Sequence, residues 1–330
     1  MSSKVTLHEV KEEDYEAEIA KCTGVTGFHR WFFINALSEA NGFRTRTFAV
    51  EKDGATVGVL PIALQRRGPV SVSNYLPTPH LGPLLRDEMY LTDALAAAEP
   101  YLRRRLTADQ KWAFGPGVRV ATESLVGLGY EVRVDENFFV PAGKSPADHL
   151  AAMSGDRRRD IRLGLSRGIT AEPADIQEIR EWFAERVVGT YERQGLTSIY
   201  SRDVCRRLVD LLGADSRMLW RSVRDSSGQL LAVTVGVIDV DRVWVWMLAG
   251  DHGTHPSPQL MAYWDLIEWS LSRNLSCDIG SSASPGIRKF KLRLGVESES
   301  CVIAERRWKS YRKLQAIKHH MAERRSAATE

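Results

Sequence analysis

Cysteine is scarce in this chain. Cys22, Cys205, Cys277 and Cys301 are the four in 330 residues, widely separated, and no pair has C-x-x-C or zinc-finger spacing. That excludes a disulfide framework and a thioredoxin-type motif, so free thiols in a reducing cytoplasm, with no bound metal, are expected. Long apolar runs are missing too: nowhere do 18 uncharged apolar residues follow one another. The opening MSSKVTLHEVKEEDYEAEIA is acidic and has no apolar core of the signal-peptide kind. No membrane span is therefore expected. The motifs H-E-x-x-H, Walker A and G-x-G-x-x-G are absent, and the G-x-S-x-G run Gly164 to Gly168 closes a charged helical stretch instead of forming a strand-to-helix elbow, which weighs against the hydrolase, zinc-protease, NTPase and dinucleotide-dehydrogenase classes. Charge of one sign is also lacking. With 45 Lys and Arg against 42 Asp and Glu the net charge is +3, so a polyanionic partner has to be argued from clustering alone.

What is present is a globular composition, 43% hydrophobic, with a weak internal duplication. Residues 48–64, FAVEKDGATVGVLPIAL, read as strand, Asp-Gly turn, strand, and residues 219–238, LWRSVRDSSGQLLAVTVGVI, repeat that plan around Ser-Ser-Gly. A helical stretch precedes each copy: WFFINALSEA the first, SRDVCRRLVDLLG the second. Another strand, a helix and a further strand follow each. In the second copy these are VWVWMLAG, QLMAYWDLIEWSLSR and LSCDIG. The reading is α/β (α+β): two similar domains, 1–150 and 151–330, each a mixed, mostly antiparallel sheet flanked by helices. PAGKSPADH and the charged helical stretch MSGDRRRDIRLGLSRG mark the boundary, and without a low-complexity linker the halves should pack together.

Four clusters could carry chemistry. GIRKFKLRLG presents a basic face whether it is a helix, with Ile287, Phe290 and Leu294 on one side, or a strand, with Lys289, Lys291 and Arg293 on one side. The alternative is a solvated cationic face beside a buried Phe290. In the turn DHGTHPSPQ, Ser257 can cap a helix, Pro258 suits its first position, and N–H groups near Gln259 can face an anion. His252 and His255 are candidate proton shuttles there, or simply turn residues. On one helix, Arg158 and Arg162 share a face and can grip phosphate or carboxylate, or else pair with Asp156 and Asp160. The tail from Arg306 to Arg325 carries eight Lys or Arg against one acid, Glu323, with Trp308 and Tyr311 interleaved. Such a basic helix suits RNA phosphates, and its stripe of Trp308, Tyr311 and Leu314 suits packing. Trp246 is the tryptophan expected to line a site, and the Pro-rich Asn74–Pro83 loop is expected to be rigid.

The order of elements from Trp244 to Gly295, with Asp278, Gly280, Gly286, Ile287, Phe290, Lys291, Leu294 and Gly295, resembles the GNAT-like acyltransferases grouped with the Fem aminoacyl-tRNA ligases. Ser154, Arg158, Ile161, Arg162 and Gly168 fit a second pattern of that superfamily. The resemblance implies two tandem GNAT-like domains and direct attack of an amine on an ester or thioester carbonyl, without cofactor or metal. It implies Lys291, with Asp278 of the same motif, as catalytic, and His252 is the candidate proton shuttle that would complete the set. Phe290, Lys289, Arg158, Arg162, Trp246, His255 and Gln259 would bind substrate, and Arg306, Arg307, Lys309, Arg312 and Lys313 would bind RNA. The GNAT loop [QR]-x-x-G-x-[GA], which wraps the pyrophosphate of acyl-CoA, is absent, and Pro256 and Pro258 stand where glycines would. The expected reaction is therefore transfer of an aminoacyl group from aminoacyl-tRNA to a small-molecule or peptidoglycan-precursor amine. An acyl-CoA-dependent N-acyltransferase and a non-catalytic RNA-binding protein are the alternatives.

Overall fold

The computed structural model describes residues 4–193, 198–251, 253, 256–282 and 284–311. The first half runs β1 (Thr6–Val10), α1 (Glu12–Ile19), α2 (Trp31–Asn41), β2 (Arg44–Lys52), β3 (Ala55–Arg67), β4 (Val70–Ser73) and β5 (Leu84–Leu85). It continues with α3 (Leu91–Arg104), β6 (Thr107–Ala113), α4 (Thr122–Gly127) and β7 (Glu131–Val140). The second half opens with α5 (Pro146–Ala152), α6 (Gly155–Ser166), β8 (Thr170–Pro173), α7 (Ile176–Arg193) and α8 (Arg202–Leu212). There follow β9 (Met218–Arg224), β10 (Leu230–Asp239), β11 (Arg242–Gly250), α9 (Pro258–Leu271), β12 (Ser276–Ser281), α10 (Pro285–Leu292) and β13 (Glu297–Arg307).

The duplication is real at the level of elements. The series α2, β2, β3, β4, α3, β6 is repeated by α8, β9, β10, β11, α9, β12. In each copy a hairpin feeds a strand that pairs in parallel with the strand beyond the next helix: β4 with β6, and β11 with β12. The first hairpin turns on Asp53 and Gly54, both at positive φ (54° and 77°), as a two-residue turn of matching twist requires.

The two copies share one sheet. Its order is β1-β2-β3-β4-β6-β13-β7-β12-β11-β10-β9-β8, with β5 on the side against β3. The join is made by exchange, because β13, last in sequence, lies between β6 and β7 of the first half, and β7 then pairs with β12 of the second. A division near residue 150 thus separates the sequence without separating the sheet. One core mixes both halves, with Phe28, Phe33 and Leu37 packed among Phe183, Leu208 and Trp244. Elsewhere α3 covers Leu60, Ile62 and Trp112, while α9 sets Leu260, Trp264 and Ile267 against Phe138 and Val243.

Arg306 and Arg307 close strand β13, so they do not begin the expected basic helix. The backbone there is held by pairing with Gln110 and Asp109 of β6.

Candidate active site

The parallel pair β11 and β12 is short. Its register runs Arg242 to Ser276, Val243 to Cys277 and Trp244 to Asp278, and stops. Beyond that point β12 pairs with β7 alone and β11 with β10 alone, so the edge of β11 facing β12 has no partner strand among the described residues. The first half begins to part in the same way after Ser73 and Gln110. There the Asn74–Pro83 loop fills the gap: Asn74 Oδ1 accepts from the Ala63 N–H at 2.7 Å, and Leu81 bridges to Ala113. Among the described residues the wedge in the second half has no such plug.

At its apex sits a buried polar network. Asp278 accepts from Asn137 Nδ2 at 2.6 Å and from the Gly280 N–H at 2.8 Å, and pairs with Arg242 Nη1 at 3.3 Å. Burial pushes its carboxyl up to about 6, against the opposing pull of Asn137 and Arg242. Arg242 Nη1 also donates to Glu299 at 2.7 Å. Lys291 is 4% exposed and donates to the carbonyls of Ile279, Gly280 (3.0 Å) and Ser281 (2.8 Å). Burial lowers its ammonium to about 8, partly offset by Asp278. From the first half His80 comes edge-on to Trp244, ring centres 6.0 Å apart, with Phe28 against both. Burial holds His80 and His29 down to about 3, which keeps both imidazoles neutral.

The stretch GIRKFKLRLG is a helix, α10, begun by Ser284, whose hydroxyl accepts from the Ile287 N–H at 3.3 Å, with Pro285 in the first turn. Leu294 and Phe290 of the expected stripe pack on the core, but the stripe fails at Ile287 and gains a lysine. Lys291 is the buried residue, while Ile287 (46%) and Leu292 (43%) are exposed. Three carbonyls at the end of β12 outweigh the usual preference for an apolar side chain inside, because an ammonium satisfies all of them at once.

The structure brings Lys291 and Asp278 together and scatters several other candidates. Phe290 lies under Arg157, 4.7 Å from its ring centre, and beside Tyr263; Lys289 is exposed. Arg158 donates to the Ala151 and Met153 carbonyls at the end of α5, and Arg162 is exposed. Trp246 packs on Phe33 and Tyr200 in the shared core. Gln259 folds back, its Nε2 donating to the Asp251 carbonyl at 2.9 Å, and Asp251 pairs with Arg186 at 2.9 Å. Arg306 is bonded to Glu99, Gln110 and the Leu128 carbonyl, and Arg307 to Asp109, Tyr75 and Glu305. Lys309 is exposed, whereas His252, His255, Arg312 and Lys313 lie outside the described residues. Sequence reasoning missed Asn137, Arg242, His29 and His80. They reach the site through pairings 36 to 141 residues distant, or across the two halves, which no local pattern records.

The fold is shared with known structures. Residues 152–285 match the family described as the acetyltransferase (GNAT) domain. No curated protein matches the chain by sequence. Among solved structures, FemX aligns over 90% of this chain and 96% of its own, at 14% identity and a TM-score of 0.68. L-PGS from Bacillus licheniformis aligns over 93% and 94%, at 13% identity and a TM-score of 0.56. A tandem GNAT protein from the clavulanic acid biosynthesis pathway aligns over 92% and 98%, at 11% identity and a TM-score of 0.54. Among the described residues no helix is long and apolar enough to cross a membrane. The chain has the fold of the tandem GNAT proteins, and residues 152–285 within it match the acetyltransferase (GNAT) domain.

Proposed function

We propose that the protein is an aminoacyltransferase, forming an amide by moving an aminoacyl group from aminoacyl-tRNA to the amine of a small-molecule or peptidoglycan-precursor acceptor. The observation that carries the reading is the parting of β11 from β12 beyond Trp244 and Asp278, beside the start of α9. An unpartnered strand edge can align an extended acyl arm, and alignment of two reactants needs neither a covalent intermediate nor a cofactor. Asp278 would serve as the proton acceptor, and Lys291 would hold the β12 exit that carries it.

The donor preference rests on the start of α9. Pro256 and Pro258 supply no N–H, the Leu260 N–H is spent on the Ser257 carbonyl at 3.0 Å, and Gln259 Nε2 is spent on the Asp251 carbonyl at 2.9 Å. A pyrophosphate would meet few donors there. Arg159 and Arg162 on α6 and Lys289 on α10 are exposed cations suited to nucleic-acid phosphates. An acyl-CoA-dependent N-acyltransferase is the second reading, favoured by the acetyltransferase family match over residues 152–285.

Incubation with a pool of charged tRNAs and amine acceptors, followed by mass spectrometry, tests the proposal. Amide formation abolished by RNase supports it. Micromolar acetyl-CoA binding, together with transfer that survives RNase, would install the second reading. Binding of RNA without turnover on any donor would leave an RNA-binding protein of the same fold.

A further inference from the structure

Arg242 is held as few surface arginines are. Its guanidinium carbon lies 4.9 Å from the ring centre of Phe139 and 4.8 Å from that of Trp244, so aromatic faces fix its plane. Both of its carboxylate partners, Asp278 and Glu299, are reached through Nη1. Nε and Nη2, the pair that forms the bidentate edge of a guanidinium, have no hydrogen-bond partner among the described residues. The side chain is 18% exposed, and its residue opens the short parallel register that ends at Trp244 and Asp278.

A planar donor fork whose entropy has already been removed, and whose second edge is unused, matches a planar two-oxygen anion. We propose that Arg242 binds a carboxylate of the acceptor, so that the acceptor is an amino acid or peptide whose carboxylate lies close to the attacked amine. The inference rests on the acyltransferase reading for the identity of the acceptor, but the fork itself does not. Asp278 and Glu299 hold the guanidinium from its far side, and their negative charge favours a monoanion over a phosphate dianion at the free edge.

The test uses binding without turnover, so that its failure and the failure of the acyl-transfer reading can be told apart. The probes are 4-nitrobenzoate and its neutral isostere 4-nitrobenzamide, whose nitroaryl group quenches nearby tryptophan. The wild-type chain is expected to show saturable quenching with the benzoate at about tenfold higher affinity than with the amide, the value of a charge-assisted pair at a partly exposed site. Arg242→Gln should bring the benzoate to the level of the amide. Arg242→Lys, which keeps the charge without the fork, should fall between them. Since Arg242→Gln leaves Asp278 and Glu299 facing each other, Arg242→Gln with Glu299→Gln is measured as well, and a melting curve of each variant confirms folding. Equal affinity for both probes, or affinity unchanged in folded Arg242 variants, overturns the proposal. Weaker binding of benzoate than of sulfate at constant ionic strength would also overturn it, assigning the edge to tetrahedral anions. In a transfer assay, acceptors converted to carboxamides should show a raised KM with kcat unchanged, and equal KM for acid and amide would equally sink the assignment.

Discussion

Replacing Asp278 by Asn should change the pH dependence of stability more than stability itself. Asp278 is 1% exposed, and its carboxyl is raised from 3.8 to about 6 by burial. Between those two values the folded chain binds more protons at this position than the unfolded chain does. Stability therefore falls as pH rises: the contribution is intact below the unfolded value, declines through the window, and levels off above about pH 6. With 1.36 kcal/mol for each pK unit, Asp278 alone withdraws about 2 kcal/mol between about pH 4.5 and about pH 7.5. Asn has nearly the same shape: its Oδ1 keeps the Gly280 N–H, and its Nδ2 donates to Asn137 once that amide turns to present its otherwise unpartnered Oδ1, so the network survives without the titrating group. Arg242 retains Glu299. Urea unfolding of wild type and Asp278→Asn at the two pH values should show the variant gaining relative to wild type by about 2 kcal/mol on going to the higher pH. A difference between the two chains that does not move with pH would refute the reasoning. A difference that moves the opposite way would mean that Arg242 and Asn137 outweigh burial, making Asp278 a stabilising carboxylate.

Lys291→Ala leaves three carbonyls at the β12 exit without their donor and should destabilise the fold by about 3 kcal/mol, with Lys291→Met no better, read by urea unfolding. Unchanged stability with lost transfer would return Lys291 to an oxyanion-stabilising role. Truncation after Arg307 should weaken tRNA binding and make the slope of log K against log salt shallower, by about 0.7 to 0.9 for each phosphate contact removed. Arg306→Ala, by contrast, should lower the melting temperature and leave the salt slope unaltered, because Arg306 is spent on Glu99, Gln110 and Leu128. A slope that responds to Arg306 and ignores the truncation would reverse these roles.

Much of the local structure was legible in the sequence. Asp53-Gly54 marks the first hairpin, the repeated order of helix, hairpin, strand, helix and strand marks both copies, and apolar spacing marks α8 and α9. Such features depend on neighbours a few residues apart, and chain stereochemistry expresses them directly. The helix-or-strand ambiguity of GIRKFKLRLG had its answer just upstream, in Ser284 and Pro285, a cap followed by a residue suited to the first turn. Tertiary structure decided the rest. Only the exchange of β13 into the first half sets Glu299 beside Arg242 and converts Arg306 and Arg307 from a supposed RNA-binding helix into ion-paired strand residues. Only the pairing of β7 with β12 brings Asn137 to Asp278, 141 residues away. Lys291 faces inward because β12 ends on three carbonyls in need of a donor, a demand created by the sheet and invisible in the periodicity of the helix. That the Asn74–Pro83 loop plugs the first wedge depends on where the loop lands, and long-range packing determines that.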